Sequence, residues 1–395
     1  MQPPSAGWST VKLGDIGDAL IGLTFDPDSV RRAGTLVLRS SNIQDGALAF
    51  DDNVYVDCSI PDRIRVRDGD ILICVRNGSR RLIGKSAMLD ERVVGETFGA
   101  FMAVFRSEHN HYLRYFFQSG AFKRQIDGHL GATINQITNA SLKSFTVALP
   151  GTPERIAIAA RLSDTDDLIA SLERLIIKRE AIKTGMMQQL LTGNTRLPGF
   201  TAPWQVMRFE ALASPAKERA NPAKLPTDTP LIELEQIDGG GGQILAYGTA
   251  QDAVSMKTVF RPDDVLFGRL RAYLRKFWLA DRAGICSTEI WALRSTRAAI
   301  GPYVRYLVET KSFIEVASGG YGTHMPRADW SLLRNLEFEV PPVSEQQAIA
   351  SVILDADREI ILLRARLAKA RAIKEGTMQE LLTGRTRLVV EKAAA

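Results

Sequence analysis

The second half of this chain repeats the first half. Residues 150–197 align with residues 341–388 without a gap, and 23 of the 48 aligned positions are identical. Weaker matches continue upstream, where residues 67–72 correspond to residues 261–266 at an offset of 194. Solenoid repeats have periods of about 20 to 50 residues, so a period near 190 indicates a duplicated domain. Each copy therefore consists of a divergent part followed by a closely matching part.

Each closely matching part predicts a long helix that ends at a glycine. Apolar residues recur at alternating steps of three and four positions, which is typical of a coiled-coil seam. Gly193 and Gly384 follow the pattern and are suited to the left-handed conformation that ends many helices. The predicted seam consists of Ile158, Leu162, Ile169, Leu172 and Ile176 in the first copy and Ile349, Ile353, Ile360, Leu363 and Leu367 in the second.

An exposed seam of this length needs a partner. About 38 helical residues span about 57 Å, because each residue adds about 1.5 Å. We expect the two helices to pair with each other as an antiparallel coiled coil, which would hold the divergent parts at the ends of a rigid spacer. The alternative is that each helix is amphipathic and packs into a separate core.

The divergent parts have the pattern of mixed α/β (α+β) domains. Short apolar runs bounded by polar and glycine residues predict strands, and two longer segments predict helices. The strands are expected over residues 35–39, 70–75, 101–105, 265–267 and 289–293, and the helices over residues 111–125 and 302–316.

The repeat predicts the domain boundaries. We expect two divergent domains, each followed by a helical spacer, related by an internal pseudo-twofold repeat. The boundaries are residues 1–149 and 198–340 for the domains, 150–197 and 341–388 for the spacers, and 389–395 for a short tail.

Composition narrows the class of partner. The chain has a formal net charge of +5 and a pI near 9.1, which permits a nucleic-acid partner. Its three cysteines and four histidines are too scattered to predict disulfides or a metal site. No apolar run approaches the roughly 20 residues of a membrane span, and the first ten residues do not resemble a signal peptide. We therefore expect a cytoplasmic protein with no membrane partner.

Basic segments without acidic residues follow one predicted strand in each copy. Arginine grips phosphate and also reads guanine through two hydrogen bonds, so these loops are candidate DNA contacts. The alternative is a solvated loop with ordinary surface charge. The candidates are Arg76, Asn77, Arg80, Arg81 and Lys85 in the first copy and Arg269, Arg271, Tyr273, Arg275 and Lys276 in the second.

Glycine-containing segments after the predicted helices form a second candidate surface. Glycines allow the backbone to approach DNA closely, although a tight structural turn would use them equally well. Residues 39–42, which are polar and follow a predicted strand, form a third. The candidates are Thr133, Asn135, Gln136, Tyr321, His324 and Arg327 in the second surface, and Arg39 and Asn42 in the third.

Sequence motifs of catalysis are missing. The chain has no Asn/Asp-Pro-Pro-Tyr/Phe motif, no glycine fingerprint for a methyl donor and no Walker motif, and the glycines at 239–242 lack the order that binds phosphate. A nuclease-like set of Asp263, Glu309 and Lys311 has spacing that is too long. These absences favour a chain without its own catalytic activity.

The repeated helices end in Leu-Leu-Thr-Gly-x-Thr-Arg-Leu, and with this feature the whole chain resembles the specificity subunits of type I restriction–modification systems. The most specific matches are residues 182–197 and 373–388, together with the acidic turns at 68–70 and 263–264 that precede strands. The resemblance implies that each divergent domain is a target recognition domain that reads one half of a bipartite, gapped double-stranded DNA target. It also implies that the helices fix the gap and dock two methyltransferase subunits, through which restriction subunits join.

The resemblance assigns the chemistry to those partners. Methylation of adenine N6 with S-adenosylmethionine, and cleavage that needs ATP and Mg²⁺, would occur on the partner subunits, so this chain is expected to bind no cofactor and no metal. Family recognition domains differ too widely to transfer base-reading residues, so the DNA contacts above remain positional predictions. The rival interpretations are a fused methyltransferase or nuclease and a coiled-coil scaffold without sequence preference.

Overall fold

The chain forms two compact units in the computed structural model, which describes residues 7–130, 135–240, 242–319 and 326–388. The first unit comprises Met1–Glu173 and Arg366–Ala395, and the second comprises Arg174–Ala365. The unit boundaries fall within the predicted helical spacers. Each globular part therefore folds together with one half of each long helix.

The first unit is mixed α/β. Its strands are β1 (Ser9–Lys12), β2 (Asp18–Ile21), β3 (Val30–Arg31), β4 (Thr35–Leu38), β5 (Ile43–Gln44), β6 (Ala47–Leu48), β7 (Tyr55–Val56), β8 (Ile71–Cys74), β9 (Ser86–Met88), β10 (Thr97–Phe98), β11 (Met102–Arg106) and β12 (Thr146–Leu149). Its helices are α1 (Leu13–Ile16), α2 (Asn110–Gln118), α3 (Gly120–His129), α4 (Asn139–Ser144) and the first half of α5 (Thr152–Leu190).

Strand β8 lies inside the first unit and is buried on both faces. It belongs to an antiparallel sheet with the order β2-β11-β8-β9. Because side chains alternate across a strand, Ile71 and Ile73 pack with helices α2 and α3, while Leu72 and Cys74 pack with the second sheet, β10-β4-β7-β3. The continuous apolar run in the sequence is thus explained by a two-sided core, and the loop after β8 emerges from a rigid strand.

The second unit repeats this architecture. Its antiparallel sheet β14-β22-β19-β20 places Val265 and Phe267 in one core and Leu266 in the other. Its strands are β13 (Gln205–Arg208), β14 (Ala213–Pro215), β15 (Arg219–Ala220), β16 (Pro230–Ile232), β17 (Gly248–Thr249), β18 (Lys257–Phe260), β19 (Val265–Gly268), β20 (Phe277–Leu279), β21 (Gly284–Cys286), β22 (Ile290–Ser295) and β23 (Glu337–Val340). Its helices are α6 (Phe209–Leu212), α7 (Gly301–Glu309), α8 (Lys311–Ser318), α9 (Trp330–Leu333) and the first half of α10 (Val343–Leu382).

The predicted helical segments 111–125 and 302–316 are helical in the structure, but each is divided into two helices. Ser119 separates α2 from α3, and Thr310 separates α7 from α8; both residues have extended backbone. Each hydroxyl accepts a hydrogen bond from the amide three residues later, at 3.4 Å in both cases. Serine and threonine are preferred in this capping position, and the break therefore has a sequence cause.

The two long helices match their predicted limits closely. Helix α5 has 39 residues and α10 has 40. Gly193 and Gly384 lie just beyond the ends with φ of +72° and +69°, which confirms the predicted left-handed stop.

The halves of the long helices run antiparallel within each unit. In the first unit Glu173 pairs with Arg371 and Asp166 pairs with Lys374, both at 2.7 Å. In the second unit the corresponding pairs are Glu180–Arg364 and Lys183–Asp357, also at 2.7 Å. Residue numbers rise on one helix as they fall on the other, as the predicted antiparallel pairing requires.

The predicted seam lies on the inner side of these helix pairs, and its ends extend into the globular cores. Ile158 and Leu162 belong to the core of the first unit, and Ile349 and Ile353 to that of the second. The middle positions Leu172, Ile176, Ile360 and Leu363 are buried, whereas Ile169 and Leu367 are half-buried.

The segment that follows each long helix bonds to the first turn of the other long helix. In the first unit the Arg387 Nε and Nη2 groups donate to the two Glu154 carboxylate oxygens at 2.7 and 2.8 Å, and Trp8 Nε1 donates to the same carboxylate at 2.9 Å. The Arg387 guanidinium holds the pKa of Glu154 below its ordinary value. This contact explains why the closing Thr-Arg-Leu recurs in both copies.

The second unit has the equivalent fastening. Arg196 donates to Glu345 at 2.7 and 2.6 Å, and Trp204 Nε1 donates to it at 3.1 Å. The sequence carries the signal for both contacts, because a tryptophan, a glutamate and an arginine recur at matching places in the two copies.

A buried charged cluster, the Lys183 network, joins α5, α7 and α10 in the second unit. Lys183 Nζ lies 2.6 Å from Glu309 Oε1 and 2.7 Å from Asp357 Oδ1. Arg305 Nη1 lies 2.9 Å from the other oxygen of each carboxylate, and the Tyr306 hydroxyl donates to Asp357 at 3.0 Å. Two cations thus balance two carboxylates.

The first unit has a related cluster, the Lys374 network. Lys374 Nζ lies 2.7 Å from Asp166 Oδ1, and the Arg114 guanidinium lies 3.1 Å from the other oxygen. Tyr115 donates to the same carboxylate at 3.0 Å, and its burial raises its pKa to about 12. Gln118 occupies the position that corresponds to Glu309 in the second unit, and its side chain is neutral. Two cations therefore face one carboxylate in the first unit.

Candidate nucleic-acid interface

In the first unit the loop after β8 lies directly beside residues 135–137. The amide of Ile137 donates to the Val75 carbonyl at 2.8 Å, and the amide of Asn77 donates to the Asn135 carbonyl at 3.4 Å. Arg76 and Gln136 face each other as an antiparallel bridge. Two segments that the sequence singled out independently therefore form one surface.

The third predicted segment meets the same surface through a short turn at Ser40–Asn42. Asn77 Nδ2 donates to Ser40 Oγ, and Lys85 Nζ donates to the Ser40 carbonyl, both at 3.4 Å. Asn135 Nδ2 donates to the Gly78 carbonyl at 3.2 Å. We call the surface formed by residues 39–41, 76–85 and 135–136 the first patch.

Arginines give the first patch its positive charge. Arg76 and Arg81 are exposed, and the Arg76 guanidinium lies 4.9 Å from the centre of the exposed Phe101 ring. Arg80 donates to the Asp127 carbonyl at 3.3 Å, and Arg39 forms an ion pair with Asp52 at 2.9 Å. Arg76 and Arg81 are therefore the arginines best placed to meet an anionic ligand.

Asn42 is not part of the exposed surface. It is fully buried, its side-chain Oδ1 accepts from the Arg39 backbone amide at 2.9 Å, and its Nδ2 donates to the Ala49 carbonyl and to Asn53 Oδ1. Its hydrogen bonds hold the turn together, so the structure gives it no access to a base and we leave it out of the interface.

In the second unit the loop after β19 lies beside residues 326–328. The amide of Ala328 donates to the Arg269 carbonyl at 2.8 Å, and the amide of Arg271 donates to the Pro326 carbonyl at 2.9 Å. Leu270 and Arg327 form the bridge that corresponds to Arg76 and Gln136. We call the surface formed by residues 269–273 and 327, together with Glu289, the second patch.

Three arginines of the second patch differ in their surroundings. Arg271 is exposed and has left-handed backbone with φ of +52°. The Arg269 guanidinium lies 5.6 Å from the Trp291 ring, and Arg327 is held by Glu289 through two hydrogen bonds of 2.9 Å. The Arg327 guanidinium holds the pKa of Glu289 below its ordinary value. Tyr273 projects beside them with 52% of its surface exposed.

Two predicted contacts of the second copy face inward instead. Arg275 donates to the Glu309 carbonyl at 2.8 Å, and Lys276 Nζ donates to the Leu234 carbonyl at 2.8 Å. Lys85 makes the corresponding contact in the first unit. Lys85 and Lys276 thus each hold a neighbouring turn in place in their own unit. Neither Arg275 nor Lys276 is placed as a DNA ligand by this geometry.

Thr133, Tyr321 and His324 lie outside the described residues.

The nuclease-like residues are not assembled into a site. Glu309 is occupied by Lys183 and Arg305 in the buried network. The carbonyl of Asp263 lies at the start of α7, beside Gly301, and Glu309 lies at the end of that helix, about 12 Å away at about 1.5 Å per residue. Among the residues that the structure describes, no group of three or more His, Cys, Asp or Glu side chains could hold a metal ion.

Across the described ranges, no helix is both long enough and apolar enough to cross a bilayer.

Residues 5–180 match the family described as the type I restriction modification DNA specificity domain. The match covers the first divergent domain and most of α5, which is less than half of the chain. The *Salmonella potsdam* type I restriction enzyme StySPI specificity subunit is 27% identical over 224 residues, which cover 52% of this chain and 48% of that protein. The *Escherichia coli* EcoDI specificity subunit is 26% identical over 269 residues, 60% of each chain. The chain thus spans about half of the length of these specificity subunits.

Longer matches cover both copies of the repeat. The putative MjaX specificity subunit of *Methanocaldococcus jannaschii* is 23% identical over 412 residues, 96% of this chain and 94% of that protein. The crystal structure of the type I restriction-modification S subunit from *M. genitalium* superposes with a TM-score of 0.60 at 13% identity, covering 97% of this chain and 98% of that one. A chain from a structural study of type I R-M assembly and conformational transition gives a TM-score of 0.55 at 17% identity, covering 98% and 100%. These structures show that the specificity-subunit fold covers the chain.

Proposed function

We propose that this chain is the DNA sequence-recognition subunit of a type I restriction–modification system. The observation that carries the proposal is the equivalence of the two patches. The hydrogen bond from Ile137 to Val75 in the first unit has its counterpart from Ala328 to Arg269 in the second, both at 2.8 Å. The backbone framework is the same, while the exposed side chains on it differ, as expected of two surfaces that read different sequences.

Each patch reads one half of a bipartite DNA target. The antiparallel helices fix the gap between the halves, in the same way that the geometry of a dimeric binder fixes half-site spacing. Because both copies are in one chain, their recognition surfaces can differ. The target therefore does not have to be a palindrome.

The reactions take place on partner subunits. Methylation of a stacked adenine requires the base to leave the helix, so a methyltransferase subunit must stand beside each half-site. Two such subunits bind S-adenosylmethionine, and restriction subunits with ATP and Mg²⁺ join through them. Exposed apolar side chains on the long helices, including Ile156, Ile177 and Leu362, are available for docking methyltransferase subunits.

A methylome comparison tests the proposal. Cells that express this chain with its methyltransferase partner should carry N6-methyladenine in a two-part motif with a fixed gap, and cells without the chain should lose it. Replacing residues 198–340 with those of a relative should change one half of the motif only. An unchanged methylome, with partner binding verified, would refute sequence recognition and favour the scaffold interpretation.

A further inference from the structure

A carboxylate orients one exposed arginine in the second patch. Arg327 Nε donates to Glu289 Oε2 and Nη2 donates to Glu289 Oε1, each at 2.9 Å. Glu289 directly precedes β22, and Arg327 bridges to Leu270 after β19. Both partners are thus held by backbone that is attached to the central sheet.

This arrangement leaves one edge of the guanidinium for a ligand. The side-on contact with Glu289 uses the Nε and Nη2 hydrogens, so the edge formed by Nη1 and the second Nη2 hydrogen remains. The side chain of Arg327 is 47% exposed, and within the described part of the chain Nη1 makes no hydrogen bond. Two parallel N–H donors on an oriented, exposed edge match the O6 and N7 acceptors that guanine presents in the major groove.

We propose that Arg327 reads a guanine in the half-site of the second unit and that Glu289 is its positioning residue. The inference rests on the proposed DNA-recognition function and adds the identity of one base. Arg269 supports it, because its guanidinium, which lies over Trp291, adds positive charge beside the pair and also helps to lower the pKa of Glu289. A guanidinium that Glu289 already holds in place loses less conformational entropy on binding than the guanidinium of an unrestrained arginine would.

The first unit lacks this pair at the equivalent positions. Gln136 corresponds to Arg327, because each precedes the residue whose amide bonds to the loop. Phe101 corresponds to Glu289, since the Phe101 carbonyl accepts from Val75 and the Glu289 carbonyl accepts from Arg269. The contact proposed for Arg327 and Glu289 therefore has no counterpart in the first half-site.

Binding of the assembled complex to duplexes with each base substituted in turn tests Arg327. The R327Q complex should lose about 5- to 150-fold of its preference for guanine at one position of the second half-site, with the first half-site unchanged. R327K keeps the charge but lacks the planar pair of donors that Glu289 orients, so it should weaken the same preference while nonspecific affinity persists. R334Q is the matched control: Arg334 pairs with the Glu210 carboxylate and is not part of the second patch, so its loss should leave every preference in place.

A double-mutant cycle tests Glu289. E289Q should weaken the guanine preference when Arg327 is present and have no effect on that preference in the R327Q background, with melting temperatures measured for every variant. Uniform weakening on all sequences by R327Q, with a smaller salt slope, would overturn base reading and show a phosphate contact. Unchanged preferences would also overturn it. If the wild-type complex shows no sequence preference at all, the proposed function itself fails.

Discussion

The Lys183 network and the Lys374 network allow one substitution to be compared at two equivalent places in the same molecule. Only 9% of the Lys183 side chain is exposed, whereas 19% of the Lys374 side chain is. Replacing Lys183 with methionine leaves Glu309 and Asp357 sharing Arg305, which is one uncompensated buried negative charge. Replacing Lys374 with methionine leaves Asp166 and Arg114 as a balanced pair.

The expected effects differ for this reason. Removal of one partner from a buried ion pair costs about 3 to 5 kcal/mol, so K183M should lower the free energy of unfolding of the second unit by about that amount. K374M should cost at most about 1 kcal/mol, as is usual for partly exposed pairs. The double variant K183M/E309Q removes one charge of each sign and should recover a large part of the loss.

Urea unfolding with two probes measures this difference. Four of the five tryptophans are in the second unit, so tryptophan fluorescence reports mainly on that unit. Hydrogen exchange of peptides from α7 and α2 reports on each network separately. Equal losses for K183M and K374M, or no recovery in K183M/E309Q, would refute the charge-balance reasoning.

Three further predictions concern acid stability, thiol reactivity and DNA contact. The Arg387 guanidinium lowers the pKa of Glu154 in the folded state. The Glu154–Arg387 pair therefore stabilises the fold fully above the ordinary pKa near 4.5, and this stabilisation is lost as the pH falls through the folded pKa. In a plot of unfolding free energy against pH, E154Q should show a smaller decrease on the acid side than the wild type. Burial raises the pKa of Cys74 to about 11 and that of Cys286 to about 12, so iodoacetamide at pH 8 should modify the exposed Cys58 first, as peptide mass spectrometry will show; equal labelling of all three would contradict the burial. Arg76→Ala should relax one position of the first half-site if it reads a base, or reduce affinity uniformly and lower the salt slope by about 1 if it contacts phosphate.

The repeat in the sequence determined the duplicated architecture. A sustained apolar period predicts a long helix, and a glycine after it predicts where the helix ends. The limits of α5 and α10 were therefore predictable to within a few residues. Strand β8 was equally predictable, because both of its faces are buried and its sequence is therefore a continuous apolar run. These features depend on local sequence alone, which is why they could be predicted.

Only the tertiary structure decided which polar residues face outward. Asn42, Arg275 and Lys276 carry the same donor groups as surface residues, yet they bond to backbone groups of their own units. The Arg327–Glu289 pair joins residues that are 38 positions apart, and the second copy gives no local sign of it.

The physical reason is the range of the interactions. Apolar periodicity and capping act between residues that are close in sequence, so the chain displays them directly. Ion pairs and hydrogen bonds between segments depend on which loops the sheet and helices bring within about 3 Å of each other. The sequence thus determined that this chain is two related units with two long helices, and the fold decided which side chains of each patch remain exposed.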